Sequence, residues 1–402
     1  MNEVSRLEKI TTSIIKIIFL IIVAFLFICS IFGSATVNAK EHTDYINDNL
    51  LMHIAVITGV SAITAFMKYK KIKINKKVLI VAILLWIVAC VSWILMTKFQ
   101  PKADQKYVLN SAMQFRENKF SSVQEKGCLY MFPHQCGLTL YFYLMSFIFN
   151  FDTYLGLQFL NVCALLVAFF AIYKTMKQLN KNSGIQRATF LGLLLFIPIA
   201  LYITFIYGNI VGLACSSLAV MFEMCYLKSE KKRYIIGMAL FESLAVALKS
   251  NYLIVLVAMV ILLIVEAIFR KKIKYITPII AILVFYICGN YSVKLAIKSI
   301  TNTEVNDGVP SITYIAMGMQ EGKMAQGWYN GYNKKIYKKN GYNSQVASDK
   351  AKESIRERIE KFKNDPKYAV DFYYKKTVSQ WNNPTFQSIW VNLNRKGRCR
   401  AE

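Results

Sequence analysis

The sequence predicts an all-α polytopic membrane protein with about nine transmembrane helices, and three observations carry that prediction. The chain of 402 residues is 55% hydrophobic, and its apolar residues gather in runs close to the roughly 20 residues that cross a hydrocarbon core as a helix. Its basic residues concentrate in short stretches between those runs. Neither a Walker nor a dinucleotide-type glycine loop occurs, so soluble nucleotide chemistry is not expected. Lipid admits only segments that satisfy their own backbone, which excludes a soluble enzyme and favours helices. A net charge of +26 would suggest nucleic acid in a soluble protein; here its placement in short loops reads as membrane topology, with no nucleic-acid partner.

Taken in order, the expected spans are 12–35, 49–67, 78–97, 154–173, 188–206, 209–227, 234–248, 251–269 and 275–297. The first is too long for a signal-peptide core and reads as a retained anchor. Four stretches between spans, Lys68 to Lys77, Lys174 to Arg187, Lys228 to Arg233 and Arg270 to Lys274, hold 18 Lys and Arg against one acid, Glu230. Positive loops stay in the cytoplasm, so the amino terminus is expected inside and the carboxy-terminal region outside a cell membrane. This accounting requires that Gly137 to Asn150 not cross the bilayer; at that length it reads as an interfacial or re-entrant helix. Lys181 is then cytoplasmic, while Lys334 shares the outer face with the polar loop. The organisation expected is a transmembrane domain, 1–297, with an outer loop 98–153, followed by an extracytoplasmic region 298–402.

Chemistry is expected on the outer face. Asp104, in Pro101-Lys102-Ala103-Asp104-Gln105, stands just beyond a span, where a carboxylate is either a helix N-cap or a catalytic acid or base. Arg116 and Glu117 follow about three turns along the same helical pattern and offer a phosphate contact, a partner for Asp104, or a solvated pair. His134 and Gln135 close the loop in Tyr130-Met131-Phe132-Pro133-His134-Gln135; His134 reads equally as a metal or substrate ligand and as a structural interface residue. Tyr207-Gly208-Asn209 has the composition of a tight turn. Lys249, in the next outer turn, either snorkels to headgroups or supplies a cation at the depth of a lipid phosphate. Glu242 lies seven residues earlier in mid-span, where a carboxylate has a partner or a task. Of the nine cysteines, Cys128 and Cys136 share the polar loop and can pair only where that loop faces an oxidising compartment.

The motifs Pro-x-x-Asp-Gln (101–105), Phe-Pro-His-Gln-x-Gly (132–137), Tyr-Gly-Asn-Ile (207–210), Ala-Met-Gly-Met (316–319) and Lys-x-x-x-Gln-Trp-Asn-x-Pro (376–384) resemble, in order and sidedness, those of the GT-C glycosyltransferases. These include the protein O-mannosyltransferases and the lipid A aminoarabinose transferases, and the resemblance, to a bacterial branch, covers most of residues 75 to 390. It implies transfer of a sugar from a polyprenyl-phosphate carrier to a cell-envelope acceptor. Asp104 is then the catalytic base, with Arg116, His134, Gln135, Asn209 and Lys249 in substrate binding. A divalent metal is the cofactor such a site admits. The family's usual acidic neighbour is here Gln105, which counts against a metal held by two adjacent carboxylates. Relatives of this type continue with further membrane helices, whereas the sequence ends in a basic stretch, 394–402, so a truncated, non-catalytic copy is one alternative. A polytopic transporter or lipid flippase is the other, although no internal repeat supports it.

Overall fold

The computed structural model describes residues 3–70, 75–149 and 153–393. Part of the basic loop 68–77, Asn150 and the basic ending 394–402 lie outside the described residues. The described chain is helical, with one two-stranded hairpin. It divides into two compact units that cut the sequence differently from the expected linear division: the first contains residues 3–70 and 307–393, the second 75–306.

In the first unit, α1 (Glu3–Phe32) runs into β1 (Gly33–Val37), which pairs antiparallel with β2 (Thr43–Asn47), and α2 (Leu50–Tyr69) follows. Asn38 closes the hairpin by accepting the backbone N–H groups of Lys40 and His42 on its side-chain oxygen. The carboxy-terminal region returns to this hairpin through α14 (Ser311–Gly318), α15 (Tyr332–Lys339), α16 (Ser344–Asn364) and α17 (Pro366–Trp381). Thr43 N–H donates to the Met324 carbonyl at 3.1 Å and Ala35 N–H to that of Asn382 at 3.2 Å. The first loop and the carboxy-terminal region therefore lie on one side of α1.

The second unit opens with α3 (Lys76–Thr97), started by Asn75 accepting the Val78 N–H and stopped by Lys98 in a left-handed conformation. There follow α4 (Ala103–Arg116), α5 (Cys128–Met131), a 3-10 turn Pro133–Gln135 and α6 (Cys136–Phe149). The rest is a bundle of α7 (Thr153–Leu179), α8 (Ser183–Leu195), α9 (Ile197–Leu201), α10 (Asn209–Ser229), α11 (Arg233–Leu248), α12 (Leu253–Arg270) and α13 (Ile276–Thr301). Buried small residues on α10 and α11, among them Ala214, Ser216, Ala219, Ala239 and Ala245, let the two helices pack closely, while Ser243 turns to α13 and donates to the Phe285 carbonyl at 2.8 Å.

Six helices among the described residues are long and apolar enough to span a membrane, and the bent pair 183–204 makes a seventh. The expected nine are not reached, for a physical reason in each missing case. The apolar part of α2 is only Leu50–Phe66. With 16 residues, α11 rises about 24 Å, short of the roughly 30 Å core, and it carries Glu242. The segment expected not to cross, α6, rises about 21 Å at 14 residues. The bend between α8 and α9, 48°, falls at Phe196-Ile197-Pro198, where proline cannot donate to the preceding turn. Carbonyls freed beyond it find partners on α7. Asn161 Nδ2 donates to Ile203 O at 2.9 Å, and Gln158 Nε2 donates to Phe99 O at 2.8 Å and Thr204 O at 3.4 Å. Two buried amides thus satisfy irregular backbone that lipid would not tolerate.

Candidate functional site

The site forms in the second unit, where the start of α4, the Pro133–Gln135 turn, the segment before α10 and the end of α11 meet. Asp104 is not the N-cap its spacing allowed. Lys102 holds the cap position, Ala103 follows at φ +47°, and Asp104 sits in the first turn with its carboxylate exposed. There the unpaired N–H groups of the helix start favour the negative charge. Gln105 points the other way, is buried, and accepts the Ile206 N–H at 2.9 Å, which ties α4 to the segment carrying Tyr207.

Tyr207 is the joint of the site. Its hydroxyl donates to Asp104 Oδ2 at 3.3 Å and accepts from Gln135 Nε2 at 2.8 Å, while Lys249 Nζ stands 3.6 Å from its ring centroid. Two glycines permit this closeness. A Cβ on Gly208, at φ +76°, would stand 2.4 Å from the Leu248 carbonyl oxygen, and one on Gly137 2.1 Å from that of Ala247. Each holds α11, and with it Lys249, against a neighbouring segment. His134, Gln135, Leu138, Tyr207, Leu248, Lys249, Ser250 and Asn251 line an open pocket of about 60 Å³.

The electrostatics follow from this crowding. Burial lowers the Lys249 pKa to about 8, with Asp104 opposing. Although His134 keeps an exposed face, crowding by neighbours and then the charge of Lys249 hold its pKa below the ordinary imidazole value, again against Asp104. A carboxylate, an amide and an ammonium group thus meet at one phenol, with an imidazole lining the same pocket, an arrangement able to hold an anion beside a base.

The expected residues divide. Asp104, His134, Gln135 and Lys249 come together. Arg116 does not: at the far end of α4 it is about 18 Å along the axis from Asp104, donates to the Ser146 carbonyl at 2.6 Å, and lies over the Phe147 ring at 4.9 Å. Asn209 begins α10 and does not line the pocket; its carbonyl accepts the Tyr252 hydroxyl at 2.6 Å, and its Oδ1 is buried without a hydrogen bond among the described residues. Cys128 and Cys136 are free thiols, with Cys128 Sγ 3.2 Å from the Ser111 hydroxyl, so the possible loop disulfide is not formed. Two residues join the site unexpectedly: Tyr207, whose setting in the sequence reads as a tight turn, and Gln105, which stands where an acid is usual. The signal for Tyr207 was an aromatic hydroxyl at the end of a proline-broken span.

No known protein family matches the sequence, and no curated protein or solved structure is significantly similar to it. Among the described residues, no three His, Cys, Asp or Glu side chains gather as metal ligands. With Lys249 facing Asp104 as well, the donor set does not fit a divalent metal.

Deeper in the bundle, Glu223 on α10 and Glu242 on α11 are almost wholly buried. Ser216 lies within reach of the Glu242 carboxyl. Neither Glu242 oxygen, nor Glu223 Oε1, has a well-formed hydrogen bond among the described residues.

Proposed function

We propose that the chain is a GT-C-type membrane glycosyltransferase, moving a sugar from a polyprenyl-phosphate carrier to an acceptor at the outer membrane face. One observation carries this reading: the Asp104 carboxylate and the Lys249 ammonium flank the same phenol, which lines the pocket together with Lys249. In the reaction, Asp104 takes the proton of an acceptor hydroxyl as its oxygen attacks the anomeric carbon. The bond from that carbon to the phosphate oxygen breaks, and the electron pair leaves with the lipid phosphate, whose charge Lys249 meets. Tyr207 holds the base in place, and Gln135 fixes Tyr207. The nine-crossing topology belongs to the same proposal, since it puts this site and the carboxy-terminal region on one face.

The test is transfer from polyprenyl-phosphate sugars by reconstituted protein. Asp104→Asn keeps the size of the side chain and removes its basicity, so transfer falls by about 10²–10⁴-fold. Transfer that survives the substitution unchanged removes Asp104 from the chemistry and the proposal with it. The buried pair Glu223 and Glu242 favours a second reading, a cation-coupled transporter or flippase, because intramembrane carboxylates commonly mark ion paths. That reading gains if Glu242→Gln abolishes activity while Asp104→Asn does not.

A further inference from the structure

We propose that the segment from Trp381 to Leu393 is a membrane anchor, seated in the lipid headgroup layer of the leaflet where α1 emerges. The argument lies within the first unit. Residues 8–32 form a candidate span, and Phe32 is its last residue. The next residue, Gly33, accepts Asn382 Nδ2 on its carbonyl at 3.0 Å, and the Ala35 N–H donates to the Asn382 carbonyl. One turn inside the span, Cys29 packs with Ala35 and Val378 in a fully buried cluster. Asn382 and Val378 are therefore fixed beside the residues that directly follow the span's end.

Beside this fixed point the surface is apolar and aromatic. Trp381 is 65% exposed and Ile389 50% exposed, whereas Trp390 turns inward onto Trp328 at 6.0 Å. No charged residue occurs from Thr377 to Asn394, in a chain that is 18% charged. An indole with polar amides around it suits the membrane–water boundary, where tryptophan is enriched. A face turned to water would not ordinarily combine open tryptophan and isoleucine with a complete lack of charge. By contrast α16, elsewhere in this unit, carries interleaved Lys, Arg, Asp and Glu. Continuity with α1 selects lipid over a sugar ring or a protein as the occupant.

Spin labels attached at Trp381→Cys and Ile389→Cys test this in the full chain reconstituted into vesicles, in a background lacking Cys163, Cys288 and Cys399. Glu357→Cys, on the exposed side of α16, is the reference. Labels at 381 and 389 should collide more with oxygen and less with a water-soluble nickel complex than the label at 357. A second measurement spares the fold: Trp381→Phe should remove part of the tryptophan emission quenched by brominated lipids. If labels at 381 and 389 report the same water access as 357, and Trp381→Phe leaves lipid quenching unchanged, the face is open to water and the proposal falls.

Discussion

A single lysine whose charge is held against burial gives the site a pH dependence with a definite sign. The Lys249 pKa falls from its ordinary value to about 8, so its charge is lost as pH rises through that value. Lipid-phosphate binding that needs the cation should accordingly weaken above about pH 8, with Lys249→Arg flattening the profile because guanidinium stays charged. Folding responds in the opposite sense. Between about pH 8 and the ordinary lysine value the unfolded chain binds the extra proton, so stability rises with pH across that window. Titrating polyprenyl-phosphate affinity from about pH 7 to about pH 9 checks the first statement, and unchanged affinity would return Lys249 to a headgroup anchor. Tyr207 gives a milder test. Tyr207→Phe keeps the ring beneath Lys249 but removes the hydroxyl joining Gln135 to Asp104. A hydrogen bond of about 1 kcal/mol corresponds to about a fivefold loss of transfer, with little change in folded yield.

Among the elements, the proline-broken span decides whether the site exists at all. Asn161 and Gln158 hold the carbonyls of Ile203 and Thr204, just before the segment that delivers Ile206 and Tyr207. Asn161→Leu leaves Ile203 O without that donor at a cost of about 1–3 kcal/mol, measurable as reduced thermal stability in detergent. Gly137→Ala should also destabilise, by about 1–3 kcal/mol, because its Cβ meets backbone rather than a yielding side chain. Much of this level was legible in the sequence. Apolar runs and basic punctuation located α1, α3, α7, α10, α12 and α13, and the short length of Gly137 to Asn150 separated it from the spans. Of the site, Asp104, His134, Gln135 and Lys249 were readable as polar residues stranded at the ends of apolar segments. Tyr207 was not, because its role depends on a bend that brings residue 207 to residues 104 and 135, and hydrophobic periodicity holds no record of such contacts. Arg116 was misplaced for a related reason: three helical turns on one helix carry a side chain away from Asp104, and the Phe147 ring and Ser146 carbonyl of α6 receive it.

At the scale of the whole molecule, the distribution of charge and the connectivity make one joint statement about sidedness. The strongly basic stretches precede or follow helices in alternation, and Glu230 binds two of them into a local network with Lys272, Lys274 and Tyr275. Those ion pairs hold the Glu230 carboxyl at about 2, so they persist through the physiological range. If the bent pair 183–204, α2 and α11 all cross, the chain makes nine crossings, and Lys181 and Lys334 fall on opposite faces. The site itself requires α11 to return to the face that α10 leaves, since Leu248 meets Gly208; if α2 stops short, the number drops by one and every later loop changes face. Membrane-impermeant thiol labelling of Lys181→Cys and Lys334→Cys in intact cells distinguishes these cases. With nine crossings, position 334 reacts from outside and position 181 only after the membrane is opened. Reaction of position 181 from outside would put its basic loop on the wrong face, and Asp104 and Lys249 could then no longer both serve an outer lipid phosphate.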